Sequence, residues 1–515
     1  MRAPATFVFL IRLRSYCVAT RSRGLVRASS RKTKNRRAGI NGGLRPRAQC
    51  GGRMHAPRCS MSIYLAILIS LAAGSALADP FVLATGRRDP RIYAIDLKAA
   101  LSPRNDGTAK AIVSRSHSSP RHLDGRLLGD PANIVLSDDQ RTAFVMNHHG
   151  AVDNAEFLQH GGRASVAVMN VRKMLDRRLD NTDAALEHVF DGGWFGGVGL
   201  VILPDLIVAG YSENWLSEDG SNRIGFIDRR TGGLVGQIEM ALVGPGTRQL
   251  TSPCPLFPVP FVSPTPPPLV PFLSLDLAFG CWPDPEGLAL AHGSDGKTYL
   301  VSGNAGTEDV SIMDLDGALA GSKVVEVAPR IPVQSGPFGI KASPDGKLVA
   351  VTSRESNRVD FEGNTISIID IDLARKGSRG AEVARVQVGT DDASAGARPF
   401  TVAWTPDGKS IVVANFRTNN VSVVDVGRAL AHKPGAETRI PLVRADGRPA
   451  RPKGIAVTSD GRHAVVSGGA RQAPTAPASG TVFVIDLRSR TQIATVTGVG
   501  NDPYGLAIVD HVDGD

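Results

Sequence analysis

The chain has 515 residues and a formal net charge of +10, from 59 Lys and Arg against 49 Asp and Glu. Residues 1–60 hold fifteen Lys or Arg and no Asp or Glu, so residues 1–78 carry +15 and residues 79–515 carry −5. The basic balance therefore belongs to the N-terminal segment, and the remainder offers no basic surface that would predict nucleic-acid binding.

The N-terminal segment is predicted to be a leader. Residues 54–78 contain the apolar run SIYLAILISLAAGSALA, which is shorter than the about 20 residues that a membrane span needs. The run ends in Ala76-Leu77-Ala78, an A-x-A cleavage pattern that favours a secretory signal peptide. A transit peptide is the alternative, because it too is Arg-rich and acid-poor.

Residues 1–53 are interpreted as a basic extension that is disordered or lies upstream of the true start. Cleavage before Asp79 would leave residues 79–515 as one domain, periplasmic or secreted, without a transmembrane span. Monomeric behaviour is expected.

A pattern of three strands and a weaker fourth repeats along residues 79–515. Its clearest copy is PFTVAWTPDGKSIVVANFRTNNVSVVDV, from Pro399 to Val426, in which Asp-Gly signals a hairpin turn. The first strand recurs seven times, opening at Pro131, Gly197, Pro285, Pro337, Pro399, Pro452 and Pro503. Four strands that recur with a period of about 50 residues predict a β-propeller.

The two ends of this region predict how the ring closes. It begins with a second strand, FVLATG at Phe81, and ends with a first strand, PYGLAIV at Pro503. Pairing of the C-terminal strand with the N-terminal three would complete seven four-stranded blades and remove a free sheet edge. The predicted fold class is therefore all-β, a seven-bladed β-propeller.

Segments such as VVANF after PDGKS, followed by VSVVDV, resemble the YVTN repeat family of bacterial seven-bladed propellers. The resemblance covers most of Phe81 to Val509, and it implies an exported propeller. It says little about activity, because propellers host unrelated functions. The chain departs from the family in its long loops and in a proline-rich insert at 245–280.

The insert is bracketed by Cys254 and Cys281, the last two cysteines of the chain. In an oxidising compartment these two could form a disulfide, and two buried thiols are the alternative. Phe257, Phe261 and Phe272 in the insert could form a surface for a partner or a lid on the rim.

Two motifs are interpreted as structural. The turns PDGK and SDGR supply Asp and Gly where turn geometry needs them. An aspartate closes most third strands and is expected to accept hydrogen bonds from the next turn. These residues are Asp96, Asp228, Asp314, Asp370, Asp425 and Asp486.

Long polar loops fall on one face of the predicted ring, here named the top face, where second strands join third strands. The first such loop contains His148, His149, Asp153, Glu156 and His160, of which the three histidines are candidate ligands of zinc or another divalent metal. A solvated polar loop is the alternative, since the spacing matches no metal motif. No cofactor is required by the sequence.

A second top-face loop contains Glu213 and Trp215, and its acidic oxygens could hold Ca²⁺ or could simply be solvated.

A ring of mixed charge is predicted at the channel mouth. The residues that precede opening strands are Asp130, Asp284, Arg398, Arg451 and Asp502, and Arg354 and Arg417 end second strands nearby. Such a ring could bind a small anionic or zwitterionic ligand, because arginine suits carboxylate and phosphate. Salt bridges among these residues are the alternative.

We therefore expect an exported protein that binds a protein partner or a small molecule through its top face. The alternative is an enzyme, since similar seven-bladed propellers include lactone hydrolases and lyases, some metal-dependent. His148, His149 and His160 would then supply the metal site or the general base. A redox accessory role ranks last, because the chain has no haem attachment motif.

Overall fold

The computed structural model describes residues 80–104, 109–120, 129–149, 163–212, 222–241, 282–323, 325–356, 358, 360–469 and 477–510. The predicted leader and the insert at 245–280, with Cys254 and Cys281, lie outside these residues. So do Asp153, Glu156, His160, Glu213 and Trp215.

Seven four-stranded antiparallel sheets form the fold, and each is written here from the innermost strand outwards. Blade 1 consists of β28 (Leu506–Val509), β1 (Phe81–Thr85), β2 (Arg91–Asp96) and β3 (Ile112–His117). Blade 2 consists of β4 (Pro131–Leu136), β5 (Thr142–Asn147), β6 (Ser165–Asn170) and β7 (Leu186–Asp191). Blade 3 consists of β8 (Gly197–Ile202), β9 (Leu206–Tyr211), β10 (Arg223–Asp228) and β11 (Leu234–Glu239).

The remaining blades follow in chain order. Blade 4 consists of β12 (Pro285–His292), β13 (Thr298–Asn304), β14 (Asp309–Asp314) and β15 (Ile331–Pro332). Blade 5 consists of β16 (Gly336–Ala342), β17 (Leu348–Glu355), β18 (Glu362–Asp370) and β19 (Glu382–Gln387). Blade 6 consists of β20 (Pro399–Trp404), β21 (Ser410–Asn415), β22 (Asn420–Asp425) and β23 (Glu437–Pro441). Blade 7 consists of β24 (Pro452–Val457), β25 (His463–Gly468), β26 (Thr481–Asp486) and β27 (Thr491–Thr497).

Short helices follow several third strands. They are α1 (Leu97–Leu101), α2 (Val171–Met174), α3 (Leu315–Leu319), α4 (Ile371–Ala374) and α5 (Val426–Leu430). The described part also has two 3₁₀ turns, Ala109–Ala111 and Arg177–Leu179. None of the described helices has the length and apolarity to cross a membrane.

The ring closes as the sequence predicts. β28 pairs antiparallel with β1, and the partners include Phe81 with Val509 and Leu83 with Ala507. Each innermost strand also contacts the innermost strands of both neighbouring blades, and β28 contacts β24 and β4. The ring of blades therefore has no gap between blade 1 and blade 7.

The core is divided among the blade interfaces. Seven separate clusters of buried side chains fill the seven interfaces, and Val, Ile, Leu and Ala dominate them. Strands buried on both faces explain why second strands such as SIVVAN read as continuous apolar runs.

Glycine in the first-strand motif allows the innermost strands to approach closely. A Cβ on Gly287 would lie 2.6 Å from the carbonyl oxygen of Phe338, and one on Gly339 would lie 2.7 Å from that of Phe400. Blade 2 has Asn133 at this position instead, and its Nδ2 donates to the carbonyl oxygen of Val198 in blade 3 at 3.2 Å. The narrow channel follows from this close packing.

The predicted roles of the strand-closing aspartates are confirmed with one exception. Asp425 Oδ1 accepts from the backbone N–H of Arg428 at 2.8 Å and caps α5. Asp96, Asp228, Asp370 and Asp486 make equivalent bonds. Asp314 precedes α3 but makes no side-chain cap.

One predicted boundary was wrong. The spacing of the repeat predicts that blade 4 spans 285–328, but β15 is Ile331–Pro332, with a single bridge at Glu326 before it among the described residues. Pro329 interrupts the ladder because proline has no backbone N–H to donate.

Candidate ligand site at the channel mouth

A bulge near the start of each of six innermost strands builds the channel mouth. The register shifts directly after the opening residue, for example between Pro285 and Gly287 in β12 and between Pro399 and Val402 in β20. A bulge re-aims the extra residue out of the ladder. The residues that follow the opening residue, with Tyr504 before β28, are Ala132, Val198, Glu286, Phe338, Phe400, Lys453 and Tyr504.

Three of these residues form an aromatic floor. The Phe338 and Phe400 rings lie 4.8 Å apart, and the Tyr504 ring lies 5.3 Å from Phe400, almost perpendicular to it. Phe338 and Tyr504 are 6.2 Å apart. Edge-to-face contacts at these distances hold the rings in fixed orientations.

Cations lie over the floor. The Arg354 guanidinium lies 4.5 Å from the Phe338 ring centre and 5.4 Å from that of Phe400. The Arg87 guanidinium and the Lys453 amine each lie 4.8 Å from the Tyr504 ring centre. These cation–π contacts stabilise positive charge directly above the channel.

Ion pairs link blades 4, 5 and 6 on one side of the mouth. Arg354 pairs with Glu286 at 3.3 Å and with Glu355 at 3.0 Å. Arg398 then pairs with Glu355 and with Glu362, and Arg417 Nε donates to Glu362 at 2.7 Å.

Glu355 is ionised within this network. Burial acts to raise the pKa of Glu355, but the charges of Arg354 and Arg398 outweigh burial and hold the pKa below its usual range. A carboxylate held ionised in this way is a poor general base.

A second cluster of cations surrounds Phe416. The charged groups of Arg398, Arg451 and Lys453 lie 5.2, 5.6 and 5.5 Å from its ring centre. Lys453 contacts the Asp502 carboxylate. Burial, and then the charges of Arg87, Arg451 and Arg398, lower the pKa of the Lys453 amine well below its usual value. Arg451 has no carboxylate partner within the described residues, so this side of the mouth favours an anion.

The backbone before the opening prolines is strained. Asp284, Arg398 and Arg451 have φ values of 50°, 53° and 46°, in the left-handed region. Non-glycine residues there cost about 1–3 kcal/mol each, and such strain is concentrated at functional sites. Gly196 occupies the same position in blade 3 with φ 70° and no such cost.

At blade 2 the mouth carries a carboxylate and two histidines, and Arg87 reaches them from the loop between β1 and β2 of blade 1. Arg87 Nε lies 2.9 Å from Asp130 Oδ1, and His149 Nδ1 lies 3.6 Å from Asp130 Oδ2. His148 Nδ1 lies 3.2 Å from the carbonyl oxygen of Gly197, and its ring meets that of His149 edge-on at 4.1 Å.

The electrostatics of this group favour an ionised Asp130. Burial acts to raise the pKa of Asp130, but Arg87 and the two histidines hold it well below its usual range. The His149 side chain is 23% exposed to solvent. Asp130 can therefore orient a solvent-accessible imidazole.

The channel below the aromatic floor is small. Its cavity is about 90 Å³ and is lined by all seven innermost strands. Ligand pockets are usually roughly 300–1,000 Å³. A substrate is therefore expected to bind above the floor, within reach of the cations and His149.

The structure brings together Arg354, Arg398, Arg417, Arg451, Asp502, His148 and His149 at this mouth. The other predicted ligand residues lie outside the described part, as does the predicted disulfide. Within the described residues no group of three His, Cys, Asp or Glu side chains is arranged to hold a metal ion.

Sequence reasoning missed the residues after the opening prolines, above all Glu286, Phe338, Phe400, Lys453 and Tyr504. The available signal was the residue after each opening residue, because its chemistry changes from blade to blade, whereas proline precedes it in six blades and glycine follows it in five. The sequence pattern alone places these residues within the regular innermost strands, and it does not predict the bulges at the starts of these strands. Arg87 and Phe416 were missed because they lie on loops.

No family model matches the chain, and no curated protein matches it. Among solved structures, the periplasmic gluconolactonase of Pseudomonas aeruginosa has a TM-score of 0.52 and 14% identity, over 84% of this chain and 99% of that one. A candidate 6-phosphogluconolactonase of Bacteroides fragilis has a TM-score of 0.50 and 14% identity, over 85% of this chain and 99% of that one. At such identity the likeness is one of fold: this chain shares the seven-bladed propeller architecture of both.

Proposed function

We propose that the channel mouth binds and hydrolyses a small sugar lactone, either neutral or carrying an anionic group. The proposal depends on one observation, the position of His149 beside the buried carboxylate of Asp130. An imidazole oriented by a carboxylate is a common general base. The arginines around the aromatic floor are suited to a carboxylate or phosphate on the substrate. The two lactonases of similar fold make lactones the first substrates to test.

In the proposed reaction His149 takes a proton from a water molecule, whose oxygen bonds to the lactone carbonyl carbon. The ring C–O bond then breaks, and the proton passes to the leaving alkoxide oxygen. One water is consumed, and the product is an open-chain hydroxy acid. Asp130 stabilises the imidazolium, and Arg87 keeps Asp130 ionised. Arg451 would take the anionic group of the substrate.

The test is acid release from D-glucono-1,5-lactone and from its 6-phosphate, measured against the spontaneous rate. We expect His149→Ala to lower kcat by about 10²- to 10⁴-fold, the usual contribution of general base catalysis. His188→Ala, on the exposed outer strand β7, is the matched control and should retain full activity. If His149→Ala hydrolyses the lactone at the wild-type rate, this mechanism is wrong.

The divalent metal considered above would change this mechanism. Metal analysis of the purified protein and of His148→Ala distinguishes the alternatives. If the wild-type protein contains stoichiometric metal and His148→Ala does not, the nucleophile would be a metal-activated water and the histidine base would not be needed.

Binding without turnover is the second candidate. It is supported by the ion pairs of Glu355 with Arg354 and Arg398. Side chains that stay charged in ion pairs are suited to positioning a ligand and are poorly suited to proton transfer. Such a protein would capture a small molecule, or a protein partner through its top-face loops. Gluconate binding by calorimetry without lactone turnover would favour this candidate.

Export, the signal peptide at 54–78, the disulfide between Cys254 and Cys281 and kinship with the YVTN repeat family remain proposals from the sequence.

A further inference from the structure

One tyrosine hydroxyl at the mouth differs from the others in the described part of the chain. The hydroxyl of Tyr93 donates to Asp89, that of Tyr211 to the carbonyl oxygen of Gly192, and that of Tyr299 to Asp295 at 2.7 Å. Tyr504 is the fourth described tyrosine, and its hydroxyl has no hydrogen-bond partner within the described residues. The Tyr504 side chain is only half-buried, so this hydroxyl is free to donate to water or to a bound molecule.

The ring of Tyr504 is held from several sides. Phe400 and Phe338 contact it edge-on at 5.3 and 6.2 Å, and Arg87 and Lys453 lie over it at 4.8 Å. Tyr504 also lines the central cavity. The hydroxyl is therefore a donor at a fixed position, as a preorganised site requires.

The surrounding charges determine what this hydroxyl can bind. Burial raises the pKa of the Tyr504 phenol; Arg87 and Arg354 act to lower it, and Glu286 and Asp130 act to raise it further. The phenol is thus protonated at neutral pH and can donate. A hydrogen bond to a negatively charged oxygen is stronger than one to a neutral oxygen, and Arg87 and Arg354 favour such an acceptor against the opposing charges of Glu286 and Asp130.

We infer that the Tyr504 hydroxyl donates a hydrogen bond to the substrate oxygen that becomes negatively charged during hydrolysis. In the lactone reaction this is the carbonyl oxygen, which carries the charge in the tetrahedral intermediate. The inference rests on the proposed function, and it adds a contact from the strand that closes the ring. His149, linked to Tyr504 through Asp130 and Arg87, would act on the water that attacks the same carbonyl group.

The test compares the full-length protein with Tyr504→Phe, which keeps the ring and removes the hydroxyl. With D-glucono-1,5-lactone we expect kcat to fall about 10²- to 10³-fold while KM changes little, as for the loss of an oxyanion donor. The product D-gluconate should bind about tenfold more weakly to the variant by calorimetry, since one hydrogen bond to a charged oxygen is lost. Tyr299→Phe is the matched control, because it removes a tyrosine hydroxyl away from the mouth.

The outcomes separate this inference from the function on which it rests. If wild type hydrolyses the lactone and Tyr504→Phe does so at the same rate, the inference about Tyr504 is wrong and the proposed function stands. A wild-type protein that neither hydrolyses lactones nor binds gluconate would overturn both. If KM rises and kcat does not, the hydroxyl contacts a ground-state group, and the assignment to the reacting oxygen is wrong.

Discussion

Side chains at equivalent positions differ sharply from blade to blade, and this asymmetry distinguishes the mouth from a purely structural ring. Blades 2 and 3 supply the small side chains of Ala132 and Val198, whereas blades 4 to 7 supply Glu286, two phenylalanines and Lys453. The smaller residues leave room on the side of His149. A substrate there would have the imidazole on one side and the cations on the other.

Glu355→Gln tests the ion pairs that link blades 4 to 6. The substitution leaves Arg354 and Arg398 without their shared partner. We expect the free energy of unfolding at pH 7 to fall by about 2 kcal/mol, between the values for surface and buried pairs. Glu382→Gln, in the Glu382–Arg385 pair of outer strand β19, should cost less, and equal losses would argue against a special role for the mouth.

The same variant predicts a pH dependence. The pKa of Glu355 is lower in the folded protein than the unfolded value of about 4.3. Its contribution to stability is therefore complete above that pH and is lost as the pH falls through the folded value. Denaturant unfolding of wild type and Glu355→Gln should differ at pH 7, and the difference should shrink as the pH falls below the unfolded value. A difference that does not change with pH would show that the loss is not electrostatic.

The candidate site could be predicted only in part. Asp130, Arg398 and Arg451 were found because each precedes a strand-opening proline, a position that the repeat itself marks. Tyr504 and Phe400 were not found, because alternation alone assigns them to a blade interface. The bulge that turns such residues towards the channel depends on backbone contacts between neighbouring blades, which a single sequence does not reveal.

At the scale of elements, the ends of six of the seven third strands follow a local rule. An aspartate or asparagine there accepts from the backbone two or three residues later and starts a turn or short helix, and Asp314 is the exception. These elements were predicted because strand alternation and caps are local signals. β15 was misplaced because its two residues carry no periodic signal.

Two matched substitutions measure the contribution of a cap. Asp425→Ala removes a hydrogen bond to the N–H of Arg428 and should lower the free energy of unfolding by about 1 kcal/mol. Asp314→Ala precedes a helix of the same length but removes no cap bond, so its cost should be smaller. The measurement is denaturant unfolding of both variants, and equal costs would mean that the cap does not contribute.

At the scale of the whole molecule, one short strand joins the two ends of the chain. β28 pairs with β1 and contributes Ala507 and Val509 to the interface with blade 2, and Leu506 and Ile508 to the interface with blade 7. Truncation after Pro503 should lower the free energy of unfolding by about 3 kcal/mol or more, because it removes a buried strand and exposes the edge of β1. Truncation after Asp510 removes only 511–515 and should have little effect. The measurement is thermal unfolding with light scattering, and equal stability of both truncations would show that closure is dispensable.

The pairing of β28 with β1 also determines when blade 1 can be completed during synthesis. A ribosome makes Phe81 to Thr85 more than 400 residues before it makes Leu506 to Val509, so blade 1 stays incomplete until Leu506 to Val509 have been made. Until then its apolar edge needs shielding, by a chaperone or by passage through a translocon in the unfolded state. The site is completed at the same time as the ring, because Tyr504, the proposed oxyanion donor, lies just before β28.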